Sequence, residues 1–481
     1  MVKKETRSKG VPERDAGDKK RAQQDNPSPD SIASSSAPVK KSTAARNFRP
    51  VPSKSNIPDF KLDIREIKTK LPNTIWYIPS DLPIVLISIG FKNAGFKNVL
   101  PIHPSLPCFI SSMLDKGAGK YNQLEYTKRL YDNGASLSFS VGPDNAAGTL
   151  WAPADSYKKP LELAILALTN PRLPENELKK AKECALIDIE ESLKVPKVLL
   201  RDAMNKLYYP KGHPYRHSID ETKTDIPLVK TNDIRKYLKF LSQSNACVII
   251  LGPREKQGEI VAEVVQQLQK LPQEGAPTVS GAFQRNQDLT DTHVAFDVPQ
   301  SIIIARTDGF TKADPEYFPK KMAFWVLAQS SMTSMVFQHI RETHGLAYYC
   351  GGQLIKTDMD NYIQFIIGTK NESAGDAKRE LCALFTKVGQ DGMTKGQFET
   401  GMQEMLGGLV VGLDSSGSQV GFAQDLRMDG YSAEEVKRFS FNIAGVTYEQ
   451  SNRALKELCK TFVKKGQLVF GSVGKTVKAH A

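Results

Sequence analysis

Ile340-Arg341-Glu342-Thr343-His344-Gly345-Leu346-Ala347-Tyr348-Tyr349 is the stretch on which the reading of this chain turns. The run Met322 to Ile340 before it is apolar at helical spacing, and the run Leu346 to Ile355 after it reads as a strand. Arg341 therefore ends a helix and Tyr348 opens the next strand, with Gly345 supplying the turn between them. Arg341 is a permanently charged fork that suits a carbonyl, a carboxylate or an anionic transition state. Tyr348 adds an aromatic face and a hydroxyl that donates to oxygen. A structural reading stands beside the chemical one. The helix dipole alone favours an Arg at a helix C-terminus, and a Tyr opening a strand commonly packs half-buried. Spacing by itself favours that structural reading.

Outward from this stretch the chain reads as one plan used twice. Strand formers occupy Thr74–Ile78 and Ile84–Ile89. Helical patterning follows over Phe109–Leu114 and Leu124–Asn133, and a strand pair over Ala135–Val141 and Ala146–Trp151. Long helices are predicted over Ser156–Thr169 and Pro174–Leu193, and the half closes with an amphipathic helix at Ile234–Leu241 and a strand at Ala246–Gly252. The second pass has strands at Thr292–Phe296 and Ser301–Ala305, a helix over Pro319–Ile340, and strands at Leu346–Leu354 and Tyr362–Thr369. Helices follow at Ala374–Val388, Lys395–Val411 and Tyr448–Phe462, before a closing strand at Gln467–Gly471. The expectation is an α+β fold of two homologous halves, 58–270 and 271–481, each an antiparallel sheet packed with helices.

Charge and composition narrow the function classes. Of the formal net charge of +12, the first 54 residues carry 13 Lys/Arg against 6 Asp/Glu, a local +7. The remaining +5 is spread over 427 residues, too thin for a nucleic-acid-binding surface. Residues 1–57 are basic and poor in large apolar side chains, so a disordered tail is expected there. No apolar signal core stands near the start, and Glu5, Glu13, Asp15, Asp18 and Asp25 argue against a transit peptide. The default compartment is then the cytosol, with a periplasmic one open if the start is displaced. No apolar run reaches membrane-spanning length. Six scattered cysteines make neither a zinc ribbon nor a disulfide framework.

The opening segment resembles the Arg-Glu-x-x-Gly-Leu-x-Tyr signature in the second half of the insulinase/pitrilysin-like zinc peptidases, whose first half carries His-x-x-Glu-His. The resemblance runs over roughly residues 60–475. Leu71-Pro72-Asn73, Asn133-Gly134-Ala135-Ser136, Asp144, the Leu173–Glu191 helix and His213-Pro214-Tyr215 extend it. It implies that Arg341 and Tyr348 contact the substrate backbone beside the zinc. The family's glycine-rich turn before the signature is here Ala328-Gln329-Ser330-Ser331, then Thr333-Ser334-Met335, whose side chains would crowd a substrate loop.

The zinc motif itself is degenerate. Met113-Leu114 and Gly117 fix a register that puts Cys108 at the first His, Ser111 at the Glu and Ser112 at the second His. The third ligand falls near Asp188, eight residues before Pro196, with Glu190 or Glu191 as stand-ins one turn away. A catalytic zinc needs three protein ligands, an open position for water and a general base. Cys108 could ligate, but the two serines are neither ligands nor bases at neutral pH. His213 and His217 are four apart, yet Pro214 between them argues for a surface loop rather than a ligand-bearing helix.

The resemblance then implies a non-catalytic subunit of a heteromeric zinc endopeptidase. A homologous partner bearing His-x-x-Glu-His would supply the zinc, the water and the base. This chain would hold no metal of its own and would present Arg341 and Tyr348 to an unfolded peptide. Three alternatives remain: an assembly protein that kept only the fold, a stand-alone peptide-binding protein, and a peptidase with an altered metal site using Cys108 and Asp188. The last lacks a base.

Overall fold

The computed structural model describes residues 62–99, 102–276 and 284–476. The expected tail 1–57 lies outside the described residues. In chain order the strands are β1 (Arg65–Ile67), β2 (Ile75–Ser80), β3 (Ile84–Phe91), β4 (Gly117–Ala118), β5 (Tyr121–Asn122), β6 (Ser136–Val141), β7 (Ala146–Pro153), β8 (Ala246–Pro253), β9 (Thr292–Ala295), β10 (Gln300–Asp308), β11 (Tyr349–Ile355), β12 (Tyr362–Lys370) and β13 (Val469–Gly474). One sheet runs β1-β2-β8-β3-β7-β6 and the other β9-β13-β10-β12-β11, while β4 and β5 pair separately. Strands β2, β3, β6, β7 and β8 correspond in order and direction to β9, β10, β11, β12 and β13. Both sheets are antiparallel except for one pair each, β2 with β8 and β9 with β13. The parallel pair arises because the last strand of each set returns, over a long helical crossover, beside the first.

The near-continuous apolar runs in β3 and β8 follow from burial on both faces. Ile75, Tyr77, Val85, Ile87, Val248 and Ile250 enter a core with the Pro107–Leu114 and Lys158–Thr169 helices. Their neighbours Trp76, Ile78, Leu86, Ile249 and Leu251 point the other way, toward Val420, Ala423 and Leu426 of the Ser416–Met428 helix. The second sheet divides likewise. Ile303, Ala305, Ile363 and Phe365 pack with the Ala374–Asp391 and Tyr448–Phe462 helices. Ile304, Val469 and Val473 meet Leu200, Met204 and Tyr208 of the Pro196–Tyr208 helix.

Each sheet is thus covered on one face by a helix from the other part of the chain, and the described residues form a single compact unit. Glycines permit the close approach. A Cβ on Gly471 would strike the Met204 thioether, and one on Gly90 would strike Met428 and the Gln424 amide. Arg427 pins the Ser416–Met428 helix to the first sheet. It donates from Nη1 to the Val248 carbonyl at 2.8 Å and from Nη2 to the Thr74 carbonyl, with its guanidinium 4.8 Å from the Trp76 ring centroid.

The Gly212–Tyr215 segment is a loop, as Pro214 predicts, but its core is not at the surface. His213 is 3% exposed and stacks on Tyr209 with ring centroids 4.4 Å apart. Tyr215 donates to the Asp144 carboxylate and accepts from the Met359 amide at 3.3 Å, and Tyr209 donates to Asp360 at 2.7 Å. The loop leaves the crossing helix and is held between the β6–β7 turn, through Asp144, and the β11–β12 turn, through Met359 and Asp360, so its aromatic rings are buried.

Candidate functional site

The expected Pro319–Ile340 helix is broken into four pieces. An α-helix over Tyr317–Phe324 widens into a π-helical turn at Trp325–Gln329, stops at Ser330, restarts at Met335–Phe337 and widens again into a π-helical segment, Gln338–Thr343. The sequence explains the restart. The Ser334 hydroxyl accepts from the Phe337 amide at 3.3 Å as an N-cap, and the Thr333 hydroxyl donates to Glu404 at 2.7 Å. These are the residues expected to crowd the loop, and two of them are spent on capping and anchoring it.

Arg341 sits in the second π segment. The turn after it closes with Gly345 in the left-handed region at φ +63°, its amide donating to the Arg341 carbonyl at 3.0 Å. Leu346 then donates to the Ile340 carbonyl at 2.9 Å, and Tyr348 pairs with the Gly368 carbonyl at 2.8 Å, one residue ahead of β11. The Arg341 guanidinium rests 4.9 Å from the Phe337 ring centroid and 3.9 Å from the Glu342 carboxylate, with 43% of the side chain open to solvent. Tyr348 is 48% exposed. Both side chains are open to solvent over nearly half of their surface. Burial pushes the neighbouring Cys350 thiol up to about 11, against an opposing pull from the Arg341 charge.

The degenerate zinc positions come together elsewhere. Cys108 and Ser112, four apart on the Pro107–Leu114 helix, and Asp188 on the Glu175–Ser192 helix line one open cavity of about 560 Å³, with Cys184 beside them. Ser111 is not on its wall. Ser112 turns its hydroxyl back to the Phe109 carbonyl at 3.2 Å. Burial raises the Cys108 thiol pKa even though its surface meets the cavity, which disfavours the thiolate a metal needs. Glu190 pairs with Lys223, and Glu191 with Lys194 at 2.7 Å, so both stand-ins point away from the cavity. Among the described residues no three His, Cys, Asp or Glu side chains converge there.

Residues 230–405, which include the whole Arg341–Tyr348 stretch, match the family model described as the peptidase M16 inactive domain. This part of the chain, less than half of its length, is similar to that domain. The fold extends the likeness. The chain is similar to the peptidase M16 inactive domain from Pseudomonas fluorescens, with a TM-score of 0.76 at 18% identity, covering 86% of this chain and 98% of that one. It is similar to a protease from Helicobacter pylori, with a TM-score of 0.72 at 15% identity over 85% and 99% of the two chains. The periplasmic protease PqqL from Escherichia coli matches at 0.70 and 14% identity over 87% of this chain but 47% of its own. No curated protein matches the sequence. The chain therefore shares the fold of these M16 structures, and its residues 230–405 match a domain described as inactive. No helix among the described residues is long and apolar enough to cross a membrane.

Sequence reasoning missed Arg306. It is 2% exposed, donates to Gln364 at 3.0 Å and Asn205 at 3.1 Å, and lies between the Tyr208 and Tyr362 rings. A lone Arg in a strand run gives no sign of such a socket.

Proposed function

We propose that this chain is the non-catalytic subunit of a two-chain zinc endopeptidase, in which a homologous His-x-x-Glu-His subunit holds the metal and this one supplies Arg341 and Tyr348. The observation that carries the reading is the solvent-open, weakly anchored placement of both side chains in a segment similar to the M16 inactive domain, set against a Cys108/Ser112/Asp188 cavity without a metal-binding set. An exposed guanidinium in only a loose 3.9 Å contact with the Glu342 carboxylate can turn to an incoming oxyanion, and pre-aimed donors are the electrostatic part of acyl-transfer catalysis. Strand β11 begins beside Tyr348 and lies at the edge of its sheet, so an extended peptide can add to it by main-chain pairing. The matching strand orders of the two sheets support an internal duplication, with halves at 58–270 and 271–481.

Co-expression with the zinc-bearing partner and cleavage of a quenched fluorescent peptide tests this. Activity is expected only from the pair. Arg341→Ala should lower kcat by roughly 100- to 1,000-fold, the usual effect of losing one oxyanion donor, and Tyr348→Phe should lower it too, while the complex still forms. Full activity of the partner alone, or indifference to both substitutions, would leave this chain as an assembly protein.

A further inference from the structure

We propose that His339, His344 and Glu380 form a binding site for a divalent ion of the zinc class at the base of the Arg341–Tyr348 segment. The His339 Nε2 lies 3.0 Å from Glu380 Oε2, and the His344 Nε2 lies 3.3 Å from the same oxygen. The two imidazoles meet edge to face with ring centroids 4.6 Å apart at 61°, and all three ligand atoms lie within 4.8 Å of one another. Bonds of about 2.0–2.2 Å at tetrahedral angles separate ligand atoms by roughly 3.3–3.5 Å. The two nitrogen-to-carboxylate distances are therefore within a few tenths of an ångström of the spacing an ion requires, and the two imidazole nitrogens lie within 4.8 Å of each other.

The backbone is what makes the pair. The His344 amide donates to the His339 carbonyl at 3.2 Å, an i to i+5 bond of the π-helical segment. In an α-helix, residues five apart diverge around the axis. The wider π turn brings them back onto one face. Glu380 then reaches across from the Ala374–Asp391 helix. Two imidazole nitrogens and one carboxylate are a zinc donor set with a fourth position open, whereas calcium and magnesium take oxygen ligands. The three side chains are 21%, 36% and 31% exposed, so an ion and its water can enter from solvent. A bound ion would tie the Arg341 helix end and the Gly345 turn to the Ala374–Asp391 helix, and so fix the frame from which Arg341 and Tyr348 project.

The test needs no partner subunit, so its failure is separate from that of the subunit reading. The full chain, stripped with chelator, is titrated with zinc chloride alone by calorimetry, and bound metal is counted by mass spectrometry. Cobalt(II) serves as the spectroscopic probe of a four-coordinate site. One equivalent of zinc is expected, resistant to millimolar magnesium. Affinity should fall by at least about 10-fold in His339→Ala, His344→Ala and Glu380→Gln. It should be unchanged in His103→Ala, whose imidazole instead bonds Asp225 at 2.7 Å. His339→Gln, read by circular dichroism without metal, separates lost binding from lost folding. No zinc uptake by the wild type, or uptake that survives the His339→Ala/His344→Ala double variant, overturns the proposal and leaves the trio as a hydrogen-bonded bracket.

Discussion

The crossing of the two parts of the chain can be tested at a single contact. Gly471 lies in β13 directly beneath the Pro196–Tyr208 helix. A Cβ there would fall on the Met204 sulfur, 2.9 Å from Met204 Cγ and 3.0 Å from Leu200 Cδ1. Overpacking a core costs about 1–3 kcal/mol, and the flexible thioether places Gly471→Ala near the lower end of that range. Reduced freedom of the unfolded chain returns about 0.4–1 kcal/mol. A net loss of about 1 kcal/mol is expected. Met204→Ala, at a side chain with no exposure, should cost about 2–5 kcal/mol through its cavity. In the double variant the new methyl enters the space that Met204 vacated. The two single losses should therefore overshoot the double by about 1 kcal/mol or more. Urea unfolding followed by circular dichroism and by fluorescence supplies the four stabilities. Trp76 and Trp151 lie in strands of the first sheet and Trp325 in a helix beside the second, and the two probes should give one coincident transition. Additivity within about 0.5 kcal/mol, the limit for independent sites, or two separate transitions would refute the interlocked packing.

Other consequences are as direct. Burial raises the Asp144 pKa, with the Asp358 charge adding to it and the Tyr215 hydrogen bond opposing it. A raised carboxyl pKa means the folded state binds the proton better, so ionised Asp144 costs stability once pH rises above the ordinary carboxylate range and costs none below it. The stability of Asp144→Asn relative to wild type should therefore improve between pH 3 and pH 7, and the opposite slope would contradict this. Arg306→Lys should destabilise by about 1–3 kcal/mol, the cost of leaving buried polar groups unsatisfied, because a single ammonium cannot span Gln364 and Asn205 between two rings; urea midpoints decide it. Arg341→Ala should leave thermal stability nearly unchanged, by less than about 1 kcal/mol, since its exposed contact with Glu342 and its Phe337 stacking are both weak. A large fall in melting temperature would show Arg341 to be structural.

The strands were legible because both faces of each sheet are buried: Ile84–Ile89 and Ala246–Gly252 read as strands without any partner in view, and β3 and β8 occupy those positions. What lay against them was not legible. Leu200, Met204 and Tyr208 recur at helical spacing, which shows that the Pro196–Tyr208 helix buries a face but not that it buries it on β13. For the same reason His213 read as a surface residue, since Pro214 predicts a loop and says nothing of what closes over it. At the candidate site, Arg341 and Tyr348 were found through a local motif, and local motifs survive in a sequence. Placing Cys108, Ser112 and Asp188 on one wall needed only a register and two helices. The His339–His344 pair is the opposite case. Read at 3.6 residues per turn, the two histidines diverge, and a reader looking for ligands four apart passes over them. Only the π turn joins them, and it lies in a helical run already broken at Ser330 and restarted by the Ser334 cap, next to a Thr333 anchored to Glu404 on a helix some seventy residues away. The chemistry at that position therefore depends on backbone geometry to which distant contacts contribute, and the spacing of the residues alone could not have revealed it.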